Sequence, residues 1–263
     1  MDVNAAADQL FAMRTDQRIE ADLSPGNRPA DLAEAYAVQE ALVARLLTGP
    51  SDRTIGYKVA CTNRIAQEAL AIDRPVYGQL LASTTHDGAE RVELVAAEFT
   101  TRVMEPEFGI VIGETVPSGS GPHTAESIAP YIETVVPSLE VVDHRFVDWS
   151  VGALSVAADN AIHGCWVPGL PFSGDWRDLD LATHPVRALV GEEVVTTGDG
   201  SAVLGHPLNV VAWLADELPG FGRALQAGDR ITTGVATDVF TADASDVVTA
   251  DFGPLGQVTV AWI

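Results

Sequence analysis

Three glutamates and a single lysine are the residues of this chain whose types and positions could support chemistry. Lys58 is the only lysine among 263 residues, and it lies in an apolar segment, residues 54–60. An ammonium group there must reach water, pair with an anion or lower its pKa, and the last two behaviours are those of catalytic and carboxylate-binding lysines. Strand alternation equally allows Lys58 to lie on the solvated face of an amphipathic strand.

Two carboxylates lie side by side in the segment 103–112. Strand alternation puts Glu105 and Glu107 on one face, and Pro106 between them indicates a sheet edge or a bulge. Two carboxylates this close in a protected site need a proton or a cation between them, so the spacing indicates either an acid pair or a divalent-metal site. A solvated edge strand in an acidic protein would give the same pattern.

A third carboxylate, Glu140, lies in an apolar run at residues 137–144, where an unpaired anion would be costly. If the two strands are neighbours, Glu105, Glu107 and Glu140 can converge. Carboxylates without a Cys or His cluster favour a hard cation, Mg²⁺ or Mn²⁺, and disfavour zinc. His163 and Cys165 lack further ligand partners, so we assign them no metal role, and the isolated histidines are expected at the surface or in the core.

The composition excludes several classes of partner. Acidic residues outnumber Lys and Arg by 37 to 15, which gives a formal net charge of -22. Such a chain is repelled by phosphate backbones and anionic membranes, so neither nucleic acid nor a membrane is an expected partner. The N-terminus lacks a basic start followed by an apolar block, and no apolar run approaches the roughly 20 residues that cross a bilayer. We therefore expect a cytoplasmic protein.

The elements that must position these residues predict an α+β protein with a small helical N-terminal part and a larger mixed-sheet part. Helices are predicted at 31–47, 125–134, 149–160 and 207–218. Thr62 is predicted to cap a further helix that runs through Leu70. Besides the strand carrying Lys58, strands are predicted at 92–95, 103–112, 138–146, 163–167, 186–197, 230–233, 246–252 and 257–263. We divide the chain into a mainly helical region, 1–75, and a catalytic domain, 76–263.

These residues belong to a series of short strings by which the chain resembles the 2-keto-4-pentenoate hydratase and 4-oxalocrotonate decarboxylase branch of the fumarylacetoacetate hydrolase superfamily. The strings lie at 35–39, 56–62, 75–78, 104–107, 139–142, 158–161, 205–208, 211–214, 227–229 and 251–256. Each string is weak alone. Their number and order make the resemblance specific to the superfamily and fairly specific to this branch.

The resemblance implies a fumarylacetoacetate hydrolase-like fold with a β-roll-like sheet, and a divalent metal, Mg²⁺ or Mn²⁺, held by Glu105, Glu107 and Glu140. It also implies that Lys58, which matches the lysine of the family's Gly-Trp-Lys motif with Tyr57 in place of Trp, lies near the substrate's carboxylate and enol. The apolar position of Lys58 and its match to the family's motif lysine point to the same residue, which favours a catalytic role for Lys58.

The implied activity is that of a metal-dependent lyase acting on a 2-oxo or 2-hydroxydienoic acid through a metal-stabilised enolate, as in aromatic compound catabolism. A hydratase of the 2-keto-4-pentenoate type is the main hypothesis. The alternatives are a 4-oxalocrotonate-type decarboxylase, an acylpyruvate C–C hydrolase and a catalytically impaired relative that binds a 2-oxo acid. A homo-oligomer and association with an enzyme of the same pathway are further expectations.

Two departures from the family bear on the reaction. Val76 stands where hydratases carry an acidic residue, and Ile162 stands where they carry a small hydroxyl residue. Both replacements predict a more apolar pocket and weak addition of water. The helix after Lys58 also lacks the histidine with which the C–C hydrolases activate water, and Glu68 alone would be a poor substitute.

Overall fold

The computed structural model of the protein describes residues 1–87 and 91–263 and confirms the α+β class. The α-helices of these residues are α1 Val3–Thr15, α2 Leu32–Leu46, α3 Arg64–Ala69, α4 Ala125–Ile128, α5 Ala153–Ala158 and α6 Pro207–Glu217. The strands are β1 Thr54–Ala60, β2 Val76–Leu81, β3 Arg91–Leu94, β4 Val103–Ile112, β5 Ile132–Val142, β6 His163–Pro168, β7 Pro185–Val190, β8 Glu193–Asp199, β9 Arg230–Val235, β10 Phe240–Thr241, β11 Val247–Asp251 and β12 Gln257–Trp262.

Two mixed sheets contain these strands. The first sheet has the order β2-β1-β9-β4-β5-β6, with β10 paired to β4, and the second has the order β3-β12-β11-β7-β8. Within the first sheet β1 runs parallel to β9, and the other pairs are antiparallel. A bridge between Thr85, just after β2, and Trp166 in β6 brings the two edges of the first sheet together. The sheet is therefore rolled, and its inner face carries the residues singled out above.

The N-terminal helices cover this roll. α1 packs against α2, and α2 packs against α5. α2 begins as predicted, because the Asp31 side chain accepts a hydrogen bond from the Glu34 N–H. Its buried side, which includes Tyr36, Val38 and Leu42, joins the main core. Within the described ranges no helix is long and apolar enough to cross a membrane.

Strand pairing links the two predicted regions of the chain. β1 lies in the first sheet, between β2 and β9. The backbone hydrogen bonds of residues 54–60 are therefore made largely to strands that follow residue 75. The division into a helical region, 1–75, and a catalytic domain, 76–263, stays a prediction.

Several predicted boundaries are wrong for local reasons. The helix predicted at 125–134 ends at Ile128, because Pro130 and a β-branched run lead through a 3₁₀ turn into β5. That strand begins at Ile132 rather than at 138, and it ends at Val142. The strand predicted at 186–197 is the hairpin β7–β8.

Two further differences concern the helices near the site. Asn63 rather than Thr62 caps α3, since its side chain accepts from the Ala66 N–H. The helix predicted at 149–160 is regular only between Ala153 and Ala158. It is followed by a turn at 160–162 that has left-handed backbone angles. β2 was not predicted as a strand.

Candidate active site and metal centre

The register of β4 and β5 brings the three glutamates together. Glu105 lies opposite Glu140, and Glu107 lies opposite Ser138. Paired residues project from the same face of a sheet, so the carboxylates share one surface inside the roll. One ligand oxygen from each of Glu105, Glu107 and Glu140 lies within 4.8 Å of the other two. The convergence expected if the two strands were neighbours is thus present.

Glu107 is fully buried and is held by one backbone donor. Its Oε2 accepts a 2.7 Å hydrogen bond from the N–H of Gly234 in β9. Gly234 has φ +92°, and a Cβ there would lie 1.9 Å from the Thr62 hydroxyl, so the close approach requires glycine. The second oxygen of Glu107, Oε1, is also buried and has no hydrogen-bond partner among the described residues.

Glu140 is also fully buried, and its two oxygens have different surroundings. Oε1 lies 2.9 Å from the Lys58 ammonium and 2.8 Å from His163 Nδ1. Among the residues that the structure describes, Oε2 accepts only a long hydrogen bond, 3.3 Å, from the Thr232 hydroxyl. Burial acts to raise the pKa of Glu140, but Lys58 and His163 outweigh it and hold the pKa at about 2. Glu140 is therefore an anion at neutral pH.

Lys58 is 1% exposed, which excludes the solvated face of an amphipathic strand. It lies on the inner face of β1, opposite Gly78 of β2 and Thr232 of β9. Burial alone would lower the pKa of Lys58, but the charges of the three carboxylates outweigh it and raise the pKa above its ordinary value. The structure therefore pairs a charged ammonium with the carboxylate cluster.

The other two carboxylates, Glu105 and Glu107, are destabilised as anions by burial and by the negative charges of their neighbours in the cluster. Burial, followed by the charges of Glu140 and Glu105, raises the pKa of Glu107 well above its ordinary value. Burial is also the largest cause of the raised pKa of Glu105. The positive charge of Lys58 acts in the opposite direction and lowers that pKa. A cluster with one unpartnered buried oxygen and mutually repelling acids fits a hard divalent cation, because such a cation takes oxygen ligands and offsets their charge.

A left-handed turn directly precedes His163, which contacts Glu140. Asn160, Ala161 and Ile162 have φ angles of 53°, 49° and 54°. These angles are unusual for residues other than glycine, and most of all for a β-branched one. The Asn160 side chain holds the turn to β2, because it accepts from the Gln79 N–H and donates to the Gln79 carbonyl oxygen, at 2.7 and 2.9 Å.

A buried ion-pair network fixes the start of the same turn. The Asp159 carboxylate, 0% exposed, pairs with Arg14 of α1 at 2.8 Å and with Arg145 at 2.8 Å. Arg14 also donates to the carbonyl oxygen of His163, at 3.0 Å. Helix α1 is therefore tied to the turn and to His163, which contacts Glu140.

Removal of the Asp159 carboxylate is expected to lower the free energy of unfolding by about 3–5 kcal/mol, because the buried Arg145 and the mostly buried Arg14 lose the fully buried carboxylate that they share. Urea unfolding of Asp159→Ala measures this change. The control is Asp8→Ala, which breaks a pair with Arg45 whose side chains are 68% and 25% exposed. That variant is expected to lose about 1 kcal/mol or less. Equal losses in both variants would contradict a buried network.

The sequence pattern indicates the carboxylates and Lys58 but not the residues that contact them. His163, for which the sequence predicts no metal role, contacts Glu140 directly. Thr232 and Gly234 were missed because only the pairing of β9 with β1 and β4 brings them here. Val76 and Ile162 are buried and apolar, 0% and 5% exposed. Val76 pairs with Ala60, two residues beyond Lys58.

Comparisons with known proteins agree with this architecture. Residues 57–261 match the family described as fumarylacetoacetate (FAA) hydrolase C-terminal. The chain is 33% identical over 260 residues to 2-keto-4-pentenoate hydratase 1 of Dechloromonas aromatica (strain RCB). The matched region covers 98% of this chain and 96% of that protein.

Two solved structures are similar over almost the whole chain. One is 4-oxalocrotonate decarboxylase from Pseudomonas putida G7 complexed with magnesium and adipate, with a TM-score of 0.89 and 27% identity over 99% of this chain and 97% of that chain. The other is the same enzyme complexed with calcium and acetate, with a TM-score of 0.87 and 28% identity over 99% and 97%. In both structures that decarboxylase is complexed with a divalent cation and a carboxylate.

Proposed function

The chain belongs to the fumarylacetoacetate hydrolase family, and we propose that it is a divalent-cation-dependent lyase that hydrates a 2-hydroxydienoic acid of the 2-keto-4-pentenoate type. The observation that carries this proposal is the buried Oε1 of Glu107, which has no partner among residues 1–87 and 91–263, within a cluster of three carboxylates. The hydratase relative, identical at 33% of positions across nearly the full chain, supports the reaction.

Glu105, Glu107 and Glu140 would hold the cation, Mg²⁺ or Mn²⁺. When bound, it supplies a Lewis acid that polarises the C2 carbonyl of a 2-oxo acid and stabilises negative charge on its oxygen. The protein fixes one oxygen of Glu107 through Gly234 and one oxygen of Glu140 through Lys58. The opposite oxygens of these two carboxylates are thereby left for the cation.

Lys58 is the catalytic residue of this proposal. Its ammonium lies 2.9 Å from Glu140, at the border of the carboxylate cluster, where the substrate's carboxylate and enol would lie. There it binds the substrate anion and carries a proton between the enol and keto forms. The positive charge of a bound cation opposes the raised pKa of Lys58, which makes the ammonium a better proton donor.

Decarboxylation of a 4-oxalocrotonate-type acid is the second candidate function. Hydration needs a group that orients or deprotonates water at a carbon distant from C2, whereas decarboxylation needs only stabilisation of the negative charge that develops on the C2 oxygen. Val76 and Ile162 supply no such polar group, and both are buried. The predicted homo-oligomer, the pathway-enzyme partner and the cytoplasmic location stay predictions.

Two substrates tested in parallel distinguish these functions. The expected result is Mg²⁺-dependent loss of the ultraviolet absorbance of 2-hydroxypenta-2,4-dienoate with formation of a 4-hydroxy-2-oxo acid, and loss of this activity on chelation. Release of CO₂ from 4-oxalocrotonate without hydration of the monoacid would establish the decarboxylase instead. Metal-independent turnover, or a spectral shift without any turnover of either acid, would contradict both proposals.

A further inference from the structure

We infer that His163 is a positioning residue of the proposed cation site, which holds one oxygen of Glu140 so that the other oxygen faces Glu105 and Glu107. This inference rests on the proposed function. His163 would touch neither substrate nor cation. It would act only through the orientation of the Glu140 carboxylate.

The contacts of the ring define its tautomer. His163 is 2% exposed, and its Nδ1 lies 2.8 Å from Glu140 Oε1. An ionised carboxylate can only accept, so Nδ1 carries the hydrogen. In the neutral ring Nε2 is then an acceptor, and it lies 3.3 Å from the Thr84 hydroxyl, which can donate to it. Both ring nitrogens are therefore satisfied in one orientation of the neutral imidazole.

This hydrogen bond decides which carboxylate oxygen is free. Lys58 and His163 both donate to Oε1 of Glu140, whereas Oε2 accepts a single, longer hydrogen bond within the described part of the chain, 3.3 Å from Thr232. A carboxylate held by Lys58 alone could rotate about its terminal torsion, which has a broad energy minimum. The second donor fixes that torsion. Such partners of metal ligands typically contribute a factor of about 10–100 to metal affinity.

The backbone that delivers His163 to this place is unusual. His163 follows the left-handed turn at 160–162, and its ring reaches Glu140 from the first position of β6. The carbonyl oxygen of Ile162 accepts from the Asp143 N–H at 3.1 Å, and that of His163 accepts from Arg14 at 3.0 Å. Strained backbone held by several independent contacts is found at functional sites more often than elsewhere.

Mn²⁺ titration calorimetry of three variants tests the inference. His163→Ala is expected to bind Mn²⁺ about 10–100-fold more weakly than the wild type. His163→Asn is expected to recover most of the affinity, because its amide N–H can occupy the position of Nδ1–H. The control is His184→Ala, which removes another buried histidine, bonded to the Phe252 carbonyl oxygen at 2.6 Å. Its Mn²⁺ affinity is expected to be unchanged.

Wild-type affinity in His163→Ala would overturn the inference alone, whereas absence of Mn²⁺ binding in the wild type would overturn the proposed function with it. Equal weakening in His163→Asn and His163→Ala would also overturn the positioning role. If His163→Ala does not fold, ¹⁵N NMR of the wild-type ring decides. A persistent Nδ1–H tautomer on addition of Mg²⁺ supports the inference, and an Nε2–H tautomer overturns it.

Discussion

Lys58→Met is expected to lower turnover of a 2-oxo acid substrate by about 10²–10⁴-fold, the range over which a positioned proton carrier contributes. Methionine keeps an unbranched apolar side chain in a fully buried position and removes the only charged donor on β1 that reaches Glu140. His163 still donates to Glu140. Loss of the Lys58 ammonium also removes its repulsion of a bound cation, which offsets the loss of one donor to Glu140. We therefore expect a folded protein that retains Mn²⁺ binding while its kcat falls.

Steady-state kinetics measures kcat, and circular dichroism shows whether the Lys58→Met variant is folded. Arg64→Met is the matched control, because it removes the same unit of charge from an exposed pair with Glu68. Its kcat is expected to equal that of the wild type. Near-normal kinetics in Lys58→Met would show that the buried ion pair with Glu140 is structural only.

Glu107→Gln is expected to weaken Mn²⁺ binding by about 100-fold or more, because it removes one anionic ligand from a three-carboxylate site. The glutamine carbonyl oxygen can still accept from the Gly234 N–H, so the local backbone contact is retained. Calorimetric titration with Mn²⁺ gives the affinity. Glu133→Gln, at an exposed position of the same sheet, is the control and is expected to bind like the wild type.

The stability of the metal-free variant adds an independent criterion. Burial and two neighbouring carboxylates raise the pKa of Glu107, so the folded state holds a proton there more tightly than the unfolded chain. Linkage then makes the ionised group destabilising as the pH rises above its unfolded pKa of about 4.3. Metal-free Glu107→Gln should therefore be at least as stable as the wild type at pH 7. If Glu107→Gln bound Mn²⁺ with the affinity of the wild type, Glu107 would not be a ligand of the cation.

The carboxylate cluster could be predicted because its geometry depends on simple rules. Alternation fixes Glu105 and Glu107 to one face of β4, whatever the neighbouring strands are. Glu140 then needs only one correct assumption, that β4 and β5 are adjacent, and the structure pairs Glu105 directly with Glu140. The anomaly of Lys58 was visible because the chain has no second lysine.

The rest of the site depends on contacts that no local pattern encodes. Gly234 reaches Glu107 because β9 lies between β1 and β4, an order that cannot be read from residues 127 positions apart. His163 reaches Glu140 because residues 160–162 adopt left-handed angles that the propensity of Ile162 opposes. Tertiary contacts from Asn160 and Asp159 override that propensity.

Exchange of the C3 protons of a 2-oxo acid for deuterium, followed by NMR, tests the central claim most directly. Enolisation at the proposed site requires only a polarised C2 oxygen and the proton carrier Lys58, and it does not depend on which reaction follows. Wild-type protein with Mg²⁺ is predicted to catalyse this exchange. Chelation is predicted to abolish it, and Lys58→Met is predicted to slow it by about 10²–10⁴-fold. Absence of exchange with every 2-oxo acid tried, or equal exchange after chelation, would contradict a cation-dependent enzyme of this kind.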